Sequence, residues 1–384
     1  MAGSALLRQQ FLLRPDITFL NHGSFGACPQ PVFAAYQRWQ RSIEDDPVDF
    51  FMRRWRPSLT AARSALATFV GVDADDLVYV ENTTYGLNAL LRSLALRPDD
   101  EVLTSDHEYG AIDRLWRYTC AQRGARYVVR PIVLPVTTAE QFVDDFWAGV
   151  TPRTRVIALS HITSATALTF PIAQICARAR AAGILTVIDG AHVPGQIDLD
   201  LTTLGADFYV GNCHKWLCAP KGAGFLYVRR EHQAALDPLI IGWGWQADDP
   251  GESQFIDYFE RVGTNDPSAY LATPTAIEFQ TNHDWPRVRA ACHALLCTAE
   301  QRIGALSELA PLSPSTPEWF TQMRSIPLPP HVDMSLSQRL WQEYAIEVPT
   351  IMWGERRFVR VSIQAYNTPD DVERLVDALT RILV

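Results

Sequence analysis

Lysine occurs only at Lys215 and Lys221, although 34 residues of the chain are Lys or Arg. Arginine stays protonated in proteins, whereas a lysine screened from water can lose its proton and attack a carbonyl carbon. A lysine kept where arginine serves almost everywhere else is therefore a candidate nucleophile. Lys215 stands in Asn212–Cys213–His214–Lys215–Trp216, directly after the apolar run 208–211. Lys221, in Pro220–Lys221–Gly222, reads as part of the following turn. A second apolar run, 184–188, ends in Asp189 and continues into Gly190–Ala191–His192. A carboxylate there can keep a cofactor's ring nitrogen protonated, or it can simply cap a turn.

The elements that must position these groups alternate between short apolar runs and amphipathic stretches. Candidate strands are 77–80, 101–104, 127–129, 156–160, 185–189, 208–211 and 224–228, with helical patterns at 85–96, 112–123 and 172–182. Continuous apolar strands separated by helices predict a mainly parallel seven-stranded sheet covered on both faces, an α/β fold. Ligands in such sheets bind beyond the carboxyl ends of the strands, where both Asp189 and Lys215 stand. A smaller α+β unit begins near Thr273, with a long helix over 284–309, Pro-rich punctuation over 311–330, alternating segments at 347–352 and 358–363, and a last helix over 369–382. This divides the chain into 15–272 and 273–384, with the segment 1–14 packed on the latter.

Strand–Asp–x–x–His followed by strand–x–x–His–Lys–Trp is a stronger signal than either half, and pyridoxal 5'-phosphate chemistry needs both an amine and an acid so placed. The chain resembles the class V aminotransferase superfamily of fold-type I pyridoxal-phosphate enzymes, in its isopenicillin N epimerase-like branch. The resemblance runs from Phe19–Leu20–Asn21–His22–Gly23–Ser24–Phe25–Gly26 to Arg360–Val361–Ser362. It implies that Lys215 carries the cofactor as a Schiff base, Asp189 pairs with the pyridinium nitrogen and His192 lies near the phenolic oxygen. It implies Thr83 and Thr84, in Glu81–Asn82–Thr83–Thr84 at a helix start, as phosphate contacts together with Asn212 and His214. It also implies that Thr264 reaches the phosphate of a neighbouring subunit, giving a homodimer with shared active sites. In Asp106–His107–Glu108–Tyr109–Gly110–Ala111, Tyr109 takes the stacking position, with His107 the competing candidate. Ser164 stands where relatives contact the phenolic oxygen, and Ala167 replaces a common glycine. Arg360 matches the carboxylate-binding arginine, with Asn21, His22 and Ser24 bordering the substrate, and Trp243 and Trp245 as further candidate lining.

The formal charge of −9 and the lack of a basic run argue against a nucleic-acid partner. The start of the chain shows no signal-peptide pattern and no apolar stretch is long enough to span a bilayer, so a cytoplasmic enzyme is expected. Seven scattered cysteines without a CxxC pair argue against a disulfide framework and a metal site. The expected activity is α-carbon chemistry on a small amino-acid substrate. The catalytic candidates are Lys215, Asp189 and Tyr109. The outcomes considered are β-elimination (C–S cleavage of a cysteine conjugate) with Lys215 alone as base, or epimerisation with Tyr109 or His107 opposite Lys215, then amino transfer, and last a non-catalytic binding protein. No cysteine lies between Cys297 and Arg360, and on that ground a persulfide-forming cysteine desulfurase is excluded.

Overall fold

The computed structural model describes residues 7–383. In chain order its strands are β1 (Thr18–Phe19), β2 (Leu77–Val80), β3 (Glu101–Ser105), β4 (Arg126–Arg130), β5 (Thr154–Ser160), β6 (Leu185–Gly190), β7 (Phe208–Asn212), β8 (Gly224–Val228), β9 (Met323–Leu328), β10 (Ile346–Glu347), β11 (Thr350–Trp353) and β12 (Arg356–Ser362). Seven of them form one sheet in the spatial order β2-β8-β7-β6-β5-β3-β4. Its neighbours from β7 to β4 run parallel, and β8 is antiparallel to both β2 and β7. β2, β3, β7 and β8 are buried along their whole length, which is why they read as unbroken apolar runs. One face packs Val78, Val156 and Val210 against Leu90 and Trp116 of the helices Thr83–Ser93 and Gly110–Arg123. The other packs Ile157 and Tyr209 in a core shared with Leu66 and Ile175.

Strand register sets the site edge. Ser160 pairs with Asp189, and Asp189 with Val210; Gly224 pairs with both Val80 and Asn212. The carboxyl ends of β2, β5, β6 and β7 thus finish side by side.

A separate antiparallel sheet has the order β11-β12-β9. β9 falls in the stretch read from sequence as punctuation. Pro327 disguised it, yet β9 pairs with β12 alone, and an edge strand tolerates a residue that cannot donate. The start of the chain joins this end of the molecule: β1 pairs in parallel with β10, and the Ser362 amide donates to the Leu20 carbonyl at 2.8 Å. Arg8 donates to the Tyr366 carbonyl, and Phe11 packs edge-on to the Tyr366 ring at 4.9 Å. Residues 1–6 of the segment expected to pack there lie outside the described residues.

Candidate active site

Beyond those strand ends lies a cavity of about 470 Å³ whose walls include Thr83, Tyr109, Asp189, His192, His214 and Lys215. Asp189 ends a fully buried run and accepts a hydrogen bond from the Ala191 amide. Burial raises its pKa, while that amide and the nearby Lys215 charge oppose the rise. Lys215 follows β7, its Nζ 3.2 Å from His192 Nε2. Burial, opposed by Asp189 and aided by the Arg360 charge, lowers its pKa to about 8. A free amine is therefore within reach near neutral pH, which a nucleophile or proton carrier needs.

At the opposite wall, the helix Thr83–Ser93 begins at the end of β2, with Asn82 capping it through the Tyr85 amide. The Thr83 amide donates to Asn212 Oδ1, and Thr83 Oγ1 is buried without a hydrogen-bond partner. Thr84, Asn212 and His214 line the same wall. His214 donates its Nδ1–H to the Ala223 carbonyl at 2.9 Å, which leaves Nε2 as its free ring nitrogen. A helix start with an orphaned hydroxyl is an anion seat.

Arg360, on β12, is 4 % exposed and has no carboxylate partner among the described residues. Nη1 donates to the carbonyl and Oγ of Ser164, and Nη2 to Ser24 Oγ. Three of the five guanidinium donors are spent in this way. The buried Nε–H has no partner and one Nη2–H is unspent; Arg360 stands behind Ser24 and Ser164, which line the cavity.

Several candidates fall away from the cavity. His107 is fully buried, bonded through Nδ1 to Thr166 Oγ1 and packed 4.4 Å from the Trp353 ring, so it cannot cover a ligand. Tyr109, two residues later, is half exposed and lines the cavity. Of the segment expected to border the substrate, Ser24 and Phe25 reach the wall, whereas Asn21 and His22 are buried behind it. His22 bonds to Tyr366 and to the Lys215 carbonyl, and Asn21 to Glu347 and Ser24. Trp243, 80 % exposed, lines a different pocket, and Trp245 lines neither. Thr264 lines pockets away from Lys215 in its own chain. Ala167 has φ +55°, a conformation that glycine adopts without strain.

One group was missed. Glu108 accepts from Ser105 and Ser160 hydroxyls at 2.7 Å each, and Ser160 lines the cavity. Burial pushes its carboxyl up to about 8, with the Asp189 charge adding to the rise. Its place between the two stacking candidates hid it.

The sequence matches the aminotransferase class-V family over residues 29–375. The chain belongs to that family. It is 35% identical to an isopenicillin N epimerase of Amycolatopsis lactamdurans, covering 98% of this chain and 97% of the relative, and 33% identical to that of Streptomyces clavuligerus, covering 97% and 96%. The fold superposes on the cysteine desulfurase CsdA of Escherichia coli with TM-score 0.84 at 24% identity, covering 99% of each chain. This is the fold-type I architecture, and the cofactor is pyridoxal 5'-phosphate. The wall fits it: an anion seat at Thr83, an acid at a strand end and a lysine of lowered pKa face one space.

The exclusion of persulfide-forming desulfurase chemistry does not stand. A probable cysteine desulfurase of Vibrio cholerae is 30% identical over 83% of this chain and 81% of its own length, and a putative L-cysteine desulfhydrase of Oryza sativa subsp. japonica is 28% identical over 95% and 83%. The missing cysteine concerned one loop and carries no exclusion by itself. No described helix is long and apolar enough to cross a membrane.

Proposed function

We propose that this chain acts at the α-carbon of an α-amino acid, with Lys215 as the group that moves the α-proton and Arg360 as the carboxylate receptor. The observation that carries this is the unspent donors of Arg360. A buried guanidinium with two unspent donors, and no carboxylate of its own, calls for an anion from outside. Pyridoxal phosphate, when bound, supplies the electron sink that makes α-carbon bonds labile. Thr83, Thr84, Asn212 and His214 would hold its phosphate, Asp189 its ring nitrogen, and Tyr109 its open face, with His192 and Ser164 near its phenolic oxygen. Thr264 would serve the site of a second copy, and the half-exposed or exposed Phe25, Ile241 and Trp243 suit a surface that such a copy covers.

Epimerisation is the outcome we favour, because it needs a second protic group on the cavity wall and Tyr109 supplies one. The epimerase relatives support it. β-Elimination needs only Lys215 as base, and the desulfhydrase relative keeps it as the second reading. The test uses holoenzyme with a panel of L-amino acids and S-substituted cysteines in deuterium oxide. A D-product carrying deuterium at Cα establishes epimerisation; pyruvate with a released thiol or sulfide establishes elimination. Persulfide with alanine, or a keto acid with cofactor amination, would overturn both. Borohydride reduction and peptide mapping should place the cofactor on Lys215, and its recovery elsewhere would end the assignment.

A further inference from the structure

Trp216 directly follows Lys215, and its indole N–H has one possible role. Nε1–H can donate and cannot accept. It points at His192 Nδ1 from 3.2 Å, both groups being buried. Nδ1 must therefore present its lone pair. Burial holds the His192 pKa well below its usual value, so the ring is neutral and its one proton sits on Nε2. Nε2 in turn lies 3.2 Å from Lys215 Nζ. With Nε2–H as the donor, Nζ has to accept, and only an unprotonated amine can.

We infer that Trp216 is a positioning residue that locks His192 as its Nε2–H tautomer and thereby selects the free-base form of Lys215. This deepens the proposed role of Lys215 and rests on it only for its catalytic meaning; the tautomer itself is a property of the chain without cofactor. The indole has no room to turn away. Its ring packs against His22 at 4.9 Å, and a Cβ on Gly23 would approach the same ring to 3.3 Å. Its carbonyl accepts from Gln280 Nε2 at 2.8 Å, and Gly195 lies so close that any side chain there would strike that carbonyl. The groups that bear on Nζ are Asp189, which favours the ammonium, and Arg360, which disfavours it. His192 is the one neighbour whose sign depends on a tautomer: with Nδ1–H it would accept from the ammonium and stabilise it.

The test reads the tautomer directly. Cofactor-free protein labelled with ¹⁵N-histidine is examined by long-range proton–nitrogen correlation, with His192 assigned by its loss in His192→Gln. The wild-type protein should show the Nε2–H form of His192 across neutral pH. Trp216→Phe keeps an aromatic ring and removes the donor, so Nδ1–H should become populated. Reductive methylation of Lys215 at pH 7 should then slow by about tenfold, the effect of a pKa rise of about one unit. A wild-type Nδ1–H ring refutes the inference and needs no variant to fold. A Trp216→Phe protein with unchanged tautomer and unchanged methylation refutes it as well. Both readouts are independent of turnover, so an error in the proposed reaction would leave them standing.

Discussion

Replacing Arg360 by lysine keeps the charge and removes the fork, so it separates geometry from electrostatics at the substrate carboxylate. The guanidinium has two donors left, and a carboxylate could take both. Lysine can offer at best one such bond, from a point charge no longer braced by Ser24 and Ser164. A charge-assisted hydrogen bond is worth about 1.5–3 kcal/mol, so kcat/KM for an α-amino acid should fall roughly ten- to hundredfold. Arg360→Gln, which loses the charge as well, should fall further. The assay compares that amino acid with the amine that lacks its carboxylate. Only the first should respond, and the preference for the amino acid should collapse by the same factor. An equal fall for both compounds would mean that Arg360 acts on the fold or on Lys215, and no fall with the amino acid would remove it from substrate binding altogether.

Glu108 has a folded pKa of about 8 against an ordinary 4.5, so the folded state keeps a proton that the unfolded chain has released. Stability should decline as pH rises from about 4.5 to about 8, and Glu108→Gln should flatten that slope and exceed wild type at pH 9 by roughly 2–4 kcal/mol in urea unfolding; an unchanged slope would contradict the assignment. Because His214 spends Nδ1–H on the Ala223 carbonyl, its Nε2 can meet a phosphate oxygen only across a proton. Cofactor binding near pH 7 should therefore take up about one more proton in wild type than in His214→Gln, read by calorimetry in buffers of different ionisation heat, and equal uptake would exclude that contact. Glu300→Ala strands the buried Arg324 guanidinium, which Glu300 and Ser313 now satisfy. The cost should be about 3–5 kcal/mol in urea unfolding, and a loss below about 1 kcal/mol would show that the ion pair is dispensable.

The large sheet was legible because its strands are buried on both faces and so leave unbroken apolar runs. Lys215 and Asp189 were legible because each follows such a run. The smaller sheet was less so: β9 contains Pro327, and a proline that an edge strand accommodates looks the same in sequence as one that ends an element. Around the cavity, sequence placed several residues on segments that line it and left their directions open. His107 and Tyr109 differ by two positions, yet one points into the core and the other into the cavity. The same holds for His22 and Ser24. Glu108 carried no local signal, and the Trp of the His–Lys–Trp motif gave no hint of its partner, since their contacts are to Ser160 on β5 and to His192 after β6.

The contacts between the first and last parts of the chain also bear on the order in which the molecule can be built. β1 pairs with β10, Ser24 supports Arg360, and His22 joins Tyr366 to the Lys215 carbonyl across 344 residues of sequence. A nascent chain that has reached β8 already holds every strand of the large sheet and both Asp189 and Lys215. Its Asn21–Phe25 segment, however, still lacks the partners that close it over them. Domains emerge from the ribosome amino end first, and pairings of such high sequence separation come late. The large sheet can therefore consolidate during synthesis, whereas the finished pocket, and with it tight capture of the cofactor, waits for the carboxyl-terminal residues.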